Sequence, residues 1–163
     1  MTSNSTLDLL VEGLDYPMFV VTVAADDGAR AGCLIGFATQ CSIDPPRLLV
    51  CLSKKNHTYR LARTASTLAV HRLDPGQQEL AELFGSTTGD TVDKFAHCAW
   101  RPGPAGVPLL ADCPGHVVGN VLDRVDLGDH VGFLLAPLAA TGPGGGRALS
   151  FSEVQDLEPG HEA

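Results

Sequence analysis

The sequence has no long apolar run and few basic residues. No stretch reaches the about 18 apolar residues of a membrane-spanning helix, and residues 1–8 lack the basic start and apolar core of a signal peptide. Lys and Arg number 11 against 19 Asp and Glu, and the net charge of −8 argues against a general nucleic-acid surface. We therefore expect a soluble, cytoplasmic protein that binds neither membranes nor nucleic acid.

Paired cysteines and common nucleotide-binding motifs are also missing. The five cysteines contain no C-x-x-C pair and the histidines no H-x-H or H-x-x-x-H spacing, so no metal site is predicted. An odd number of cysteines, mostly within apolar runs, is typical of reduced core thiols in a cytosol. The absence of G-x-G-x-x-G argues against Rossmann-type nicotinamide binding, and no nucleophile elbow is present.

Short apolar runs dominate the pattern that remains. A chain of 163 residues that is 44% hydrophobic suits one compact domain. About six strands at short spacing, with only two or three brief helices, predict an antiparallel barrel and not alternating β and α units. The predicted strands are residues 16–25, 31–38, 48–52, 67–73, 115–125 and 130–138, and the clearest predicted helices are residues 58–63 and 76–84.

The ends of the chain differ from its centre. Residues 1–15 are predicted as an N-terminal helical segment, with apolar positions at helical spacing over residues 5–14. Residues 16–140 are predicted as the folded domain. Residues 141–163 are predicted as a glycine-rich, flexible tail that contains a short edge strand at residues 149–151.

The stretch over residues 31–59 organises the rest of the chain. Pro45 and Pro46 cannot both donate to a sheet ladder, so they force a corner between two strands. Lys54 and Lys55 follow, where strand becomes helix. Free backbone N–H groups at a helix start beside two lysines predict an anion site, most naturally for a phosphate.

Five motifs along the chain fit one known family. They are Ser42-x-Asp44-Pro45-Pro46 with the strand that follows it, Lys54-x-Asn56-x-Thr58, Asp93-Lys94-Phe95 after Phe84-Gly85, Gly106-x-Pro108-Leu109-Leu110, and Gly128-Asp129-His130. In this order and spacing, the sequence resembles the flavin reductase family of FMN-binding split barrels over roughly residues 16–137.

The resemblance implies a fold and a reaction. The fold would be mainly β: an antiparallel split β-barrel with a few short peripheral helices, with the ligand on its outer wall and a second subunit covering it as a homodimer. The activity would be that of an NAD(P)H-dependent flavin reductase, which binds FMN or FAD and transfers hydride from the nicotinamide to the flavin. Reduced flavin would then be released or used by a partner monooxygenase.

The resemblance also implies site residues. His130 is predicted to be catalytic and, with Asp129, to bind the nicotinamide substrate. The predicted cofactor-binding residues are Gly36, Phe37, Thr39, Gln40, Lys54, Lys55, Asn56, His57, Thr58, Phe84, Gly85, Lys94 and Phe95.

Two alternatives remain open at this point. Where the family usually has hydroxyl or amide side chains at the end of its first flavin-facing strand, this sequence has Leu34, Gly36 and Phe37. The missing donors keep open a deazaflavin-dependent oxidoreductase of the same fold. A flavin-binding protein without turnover is the third hypothesis.

Overall fold

Strands make up most of the regular structure. The computed structural model describes residues 6–113, 115–142, 145–158 and 160. The strands are β1 Phe19–Ala24, β2 Arg30–Ile35, β3 Ala38–Ser42, β4 Arg47–Ser53, β5 Thr67–Arg72, β6 Trp100–Pro102, β7 Pro108–Leu110, β8 His116–Asp126 and β9 His130–Thr141. The α-helices are α1 Asp8–Val11, α2 His57–Ala62 and α3 Gln78–Ser86, and short 3₁₀ helices span Lys94–Ala96, Pro104–Gly106 and Phe151–Glu153.

Seven strands form one sheet in the order β2-β1-β5-β8-β9-β4-β3, and β6 and β7 form a separate pair. All of these pairings are antiparallel. The prediction of a mainly β, antiparallel fold with few helices is confirmed. Within the described ranges β2 and β3 are the sheet edges and do not pair with each other, so the structure does not show a closed barrel.

The predicted strand over residues 31–38 is wrong at its end. β2 stops at Ile35 and β3 starts at Ala38, with Gly36 and Phe37 between them. A Cβ at position 36 would lie 2.2 Å from Cε2 of Tyr16, so only glycine allows that ring to pack against the chain here. The break turns the chain from one edge of the sheet to the other.

The described part of the interior contains two large apolar clusters and a small third one that includes Ala69 and Val118. One combines side chains from the β2 edge, such as Cys33, with Leu52 of β4 and Phe133 of β9. Because strands distant in the sheet order share this cluster, the sheet must be strongly curled. The second cluster lies under α3 and includes Phe84 and Leu149.

The C-terminal tail differs from its prediction. In place of an edge strand, Ser150 makes a single bridge to Pro17, and the 3₁₀ helix Phe151–Glu153 follows. Leu149 is fully buried, so this part of the tail belongs to the core. Positions 143, 144, 159 and 161–163 of the predicted tail lie outside the described residues.

The N-terminal segment is less helical than predicted. Its one described helix, α1, is four residues long, and position 5 lies outside the described residues. Its apolar side chains, including Leu9 and Leu10, are exposed. Across the described part of the chain, the helices are too short or too polar to span a bilayer.

Candidate active site

A cleft of about 210 Å³ lies where β2 ends and β4 meets α2, and we call it the ring cleft. Its lining is mostly apolar and aromatic, with Ser53, Asn56 and His130 as polar groups. A mostly apolar cleft with few polar groups suits an aromatic ligand. The complete lining is Tyr16, Met18, Cys33, Leu34, Ile35, Gly36, Phe37, Cys51, Ser53, Asn56, His130 and Phe151.

A series of ring contacts runs along this lining. The rings of Phe151 and Tyr16 are stacked, with centroids 4.8 Å apart and planes at 17°. Tyr16 and Phe37 are 6.3 Å apart, and Phe37 and His130 are 5.3 Å apart, both pairs tilted. His130 and Phe151 are therefore the two ends of one aromatic series.

A small polar recess adjoins the ring cleft and shares Leu34 and Asn56 with it. The side chains of His57 and Lys94 help to line it. The recess is lined by Leu34, Asn56, His57, Phe84, Gly85, Thr87, Thr88, Gly89 and Lys94. The ring cleft and the polar recess together contain eight of the residues that the sequence predicted for the site.

Two other surface clefts are larger, about 560 and 400 Å³. The first lies beside α3 and contains no predicted site residue. The second lies beside Arg30 and contains Lys94 and Phe95. Since neither has the aromatic lining or His130, the ring cleft remains the candidate site despite its smaller volume.

Asn56 caps helix α2 at the wall between the two cavities. Its Oδ1 accepts a hydrogen bond of 2.9 Å from the backbone N–H of Thr58. The side chains of Thr58 and Asn56 also hydrogen-bond the thiol of Cys33, while burial raises its pKa to about 11. Cys33 is therefore a neutral thiol at ordinary pH and not a nucleophile.

Lys94 is a buried lysine with backbone partners. Its Nζ donates to the carbonyl oxygens of Gly32 at 2.9 Å and Phe84 at 3.1 Å, and the residue is 6% exposed. Burial lowers the pKa of its ammonium. Its two carbonyl bonds hold β2 against the end of α3, so Lys94 supports the wall of the polar recess.

His130 begins β9, directly after the turn between β8 and β9, and Lys54, which follows β4, lies beside the same turn. Nδ1–H of His130 donates to the Asp129 carboxylate at 2.7 Å, and this bond lowers the pKa of Asp129. Nζ of Lys54 bonds both carboxylate oxygens of Asp126 at 2.9 Å. The backbone N–H of Lys54 donates to the carbonyl of Asp129 at 2.9 Å, so the polar end of β4 is fixed to this turn.

Several predicted residues lie outside both cavity linings. Thr39 and Gln40 are exposed on β3, where the Gln40 amide donates to the carbonyl of Ser42. Phe95 packs in the core against Phe84, with ring centroids 5.7 Å apart. The other residues outside the linings are Lys54, Lys55, Thr58 and Asp129.

The sequence prediction also missed residues that line the ring cleft. Tyr16 and Met18 lie at the approach to β1, and Phe151 comes from the tail. Tyr16 was placed at the start of the predicted strand over residues 16–25, without a role in the site. No local signal marks Phe151, because its place depends on the bridge between Pro17 and Ser150.

Comparison with known proteins identifies the class. The model of the flavin reductase like domain matches residues 11–153, so the chain belongs to this family. A probable flavin reductase of Rhizobium meliloti is 34% identical over 116 residues, 69% of this chain and 36% of that protein. An FMN reductase (NADH) RutF of Methylorubrum extorquens is 32% identical over 126 residues, 77% of this chain and 61% of that protein. The chain thus spans less than two thirds of these relatives.

Solved structures show the same fold. The NADH:FAD oxidoreductase SgcE6 of Streptomyces globisporus is 28% identical with a TM-score of 0.77, covering 86% of this chain and 83% of that one. An FMN-binding protein of Thermus thermophilus is 26% identical with a TM-score of 0.78, covering 91% and 85%. The chain is similar in fold to both of these proteins.

Proposed function

We propose that this protein is an NAD(P)H-dependent flavin reductase that binds FMN or FAD. The observation that carries the proposal is the ring cleft, an apolar aromatic slot with His130 at one end, in a chain of the flavin reductase like family. The names of the relatives support NADH as the hydride donor and FMN or FAD as the acceptor.

The residues of the ring cleft fit a flavin. Met18, Leu34 and Phe37 offer apolar surface to a flat ring, and the polar groups of Ser53 and Asn56 offer hydrogen bonds to its edge. When bound, the flavin supplies the hydride-accepting ring. The chain itself has to orient two rings and exclude water, which explains why the site needs no acid–base pair.

The role of His130 follows from its bond to Asp129. Because a carboxylate only accepts hydrogen bonds, Nδ1 of His130 carries a proton, and Nε2 is the ring nitrogen left to face a ligand. We propose that Nε2 accepts a hydrogen bond from the carboxamide N–H of the nicotinamide, while Asp129 holds the ring in this tautomer. The phosphate is proposed to bind near Lys54, Lys55 and the start of α2.

We also propose that two chains assemble as a homodimer. Large exposed apolar side chains support it, since several of them lie on the paired strands β8 and β9 or in the turn between them. They include Phe37, Leu122, Val125, Leu127 and Leu138.

The shared core cluster of β2, β4 and β9 supports a split barrel within each chain. The five free cysteines support a reducing, cytoplasmic location. An oxygenase that uses the reduced flavin is the partner we propose.

An absorbance spectrum of the purified protein with added FMN, followed by NADH, tests the function. Flavin bands that shift on binding and bleach with NADH support a reductase. A bound chromophore with the spectrum of a deazaflavin, confirmed by mass spectrometry, would support the alternative cofactor suggested by Leu34, Gly36 and Phe37. Flavin binding without NADH or NADPH oxidation would leave a binding protein.

A further inference from the structure

The C-terminal segment supplies one wall of the ring cleft. Phe151 lines the cleft and stacks on Tyr16 with ring centroids 4.8 Å apart. Its backbone N–H donates to the carbonyl of Tyr16 at 2.8 Å, so the two residues are connected both by their rings and by their backbones. The wall is thus built by two segments that are 135 positions apart in sequence.

Asp15 fixes the segment in this position. Its Oδ1 accepts a hydrogen bond from the backbone N–H of Ser152 at 2.9 Å, and its Oδ2 accepts one from the Ser152 hydroxyl at 2.7 Å. Leu149, before Phe151, is fully buried, and Val154, after it, is 8% exposed. Phe151 is therefore held by buried side chains before and after it in sequence. It is also held by the carboxylate of Asp15, which does not line the cleft.

The order of the rings separates Phe151 from the histidine. Contacts connect Phe151 to Tyr16, Tyr16 to Phe37 and Phe37 to His130. If His130 faces the nicotinamide, as proposed above, Phe151 borders the other end of the slot. A residue there would contact the flavin ring and not the nicotinamide.

We propose that Phe151 is a binding residue for the flavin ring and that Asp15 is the positioning residue that holds it in the wall. The inference rests on the proposed function and extends it to the tail. Aromatic stacking adds to the affinity gained by apolar burial, and a wall already in place orders no further chain when the ring binds.

FMN titration by fluorescence quenching tests this inference in the full-length protein. Phe151→Ala is expected to raise the FMN dissociation constant about tenfold, the scale of one lost aromatic contact. The KM for NADH at saturating FMN is expected to stay within about twofold. The substitution weakens flavin binding, and this does not change NADH binding once the site is filled with FMN. Phe151→Tyr should restore the wild-type dissociation constant.

Leu157→Ala is the matched control, because Leu157 packs on the same core cluster from the tail without lining the cleft. Its FMN affinity should equal that of the wild type. Asp15→Ala should raise the dissociation constant about threefold. Adding it to Phe151→Ala should have less effect than it has in the wild type, because its bonds to Ser152 act through Phe151, while its Oδ1 also accepts from the N–H of Tyr16.

The outcomes separate the two proposals. Wild-type affinity in Phe151→Ala, with wild type itself binding FMN, would overturn the inference and leave the proposed function intact. A loss in Leu157→Ala equal to that in Phe151→Ala would assign a merely structural role to Phe151 and also overturn it. A wild-type protein that binds no FMN would reject the proposed function and the inference with it.

Discussion

One lysine and one histidine of this protein are buried, and another lysine and histidine lie at the surface. Lys94 and His71 are buried and bond to backbone groups, whereas Lys54 and His130 lie at one surface turn and each bond an aspartate. Backbone partners inside a core cannot be replaced by water, so their loss is costly. The comparison teaches that partner and burial, and not residue type, separate groups that hold this fold from groups that are available to a ligand.

The largest expected effect is that of Lys94→Met. The substitution keeps the apolar stem and leaves the carbonyls of Gly32 and Phe84 without their donor. We expect a loss of about 2 to 4 kcal/mol in the free energy of unfolding, measured by urea denaturation. Unchanged stability would show that water replaces the ammonium and that Lys94 belongs with the surface pair.

Among the buried groups, His71 is expected to make the free energy of unfolding depend on pH. Leu110 N–H donates to its Nε2 and its Nδ1–H donates to the Val20 carbonyl, both at 3.0 Å, while burial lowers its pKa from 6.5 to about 4. Since the unfolded chain binds the proton more readily, stability is fully present above about pH 6.5 and falls as the pH approaches 4. The expected loss is about 3 kcal/mol.

Urea denaturation across this range measures the effect. His71→Gln, which does not titrate, should flatten the dependence on pH, and the exposed His97→Gln should retain it. The same slope in His71→Gln as in the wild type would assign the acid sensitivity to other groups.

How much of this was predictable from sequence differs between the pairs. The motif Gly128-Asp129-His130 placed a histidine at a strand start, and the structure puts it in the lining of the ring cleft. The corner at Pro45 and Pro46 followed from proline chemistry alone. Such features are local, so their signal is contained in a few neighbouring residues.

Features set by distant contacts were not predictable. Lys94 was predicted as a cofactor ligand, and no pattern in its motif indicates that it bonds the carbonyl of Gly32, 62 positions away. Phe151 enters the ring cleft only because the tail crosses Pro17. The need for glycine at position 36 follows from Tyr16, whose ring occupies the space a side chain would need.

Among the surface groups, the substitution His130→Ala should weaken the use of NADH and leave flavin binding unchanged. We expect kcat/KM for NADH to fall ten- to a hundredfold, about 1 to 3 kcal/mol for one hydrogen bond, with FMN affinity and stability retained. Steady-state kinetics at saturating FMN measure it. Wild-type kinetics in this variant would make His130 an ordinary turn residue, paired with Asp129 for local structure.

The smallest effect is expected for the double variant Lys54→Ala, Lys55→Ala. The ion pair of Lys54 with Asp126 is exposed and screened by solvent, so its loss should leave stability nearly unchanged. If the phosphate binds here, FMN affinity should fall by about 1 kcal/mol while riboflavin affinity does not change. Equal losses for both ligands would place the phosphate elsewhere, with the polar recess at Lys94 as the next site to test.

The central claim is that the ring cleft binds a flavin that NADH reduces. Anaerobic mixing of the protein with FMN and one equivalent of NADH tests it most directly. The account predicts that the flavin bands bleach as NADH is consumed in equal amount, and that His130→Ala slows the reaction without releasing FMN. Neither bleaching nor NADH consumption, with FMN and FAD and with NADPH as well, would contradict it.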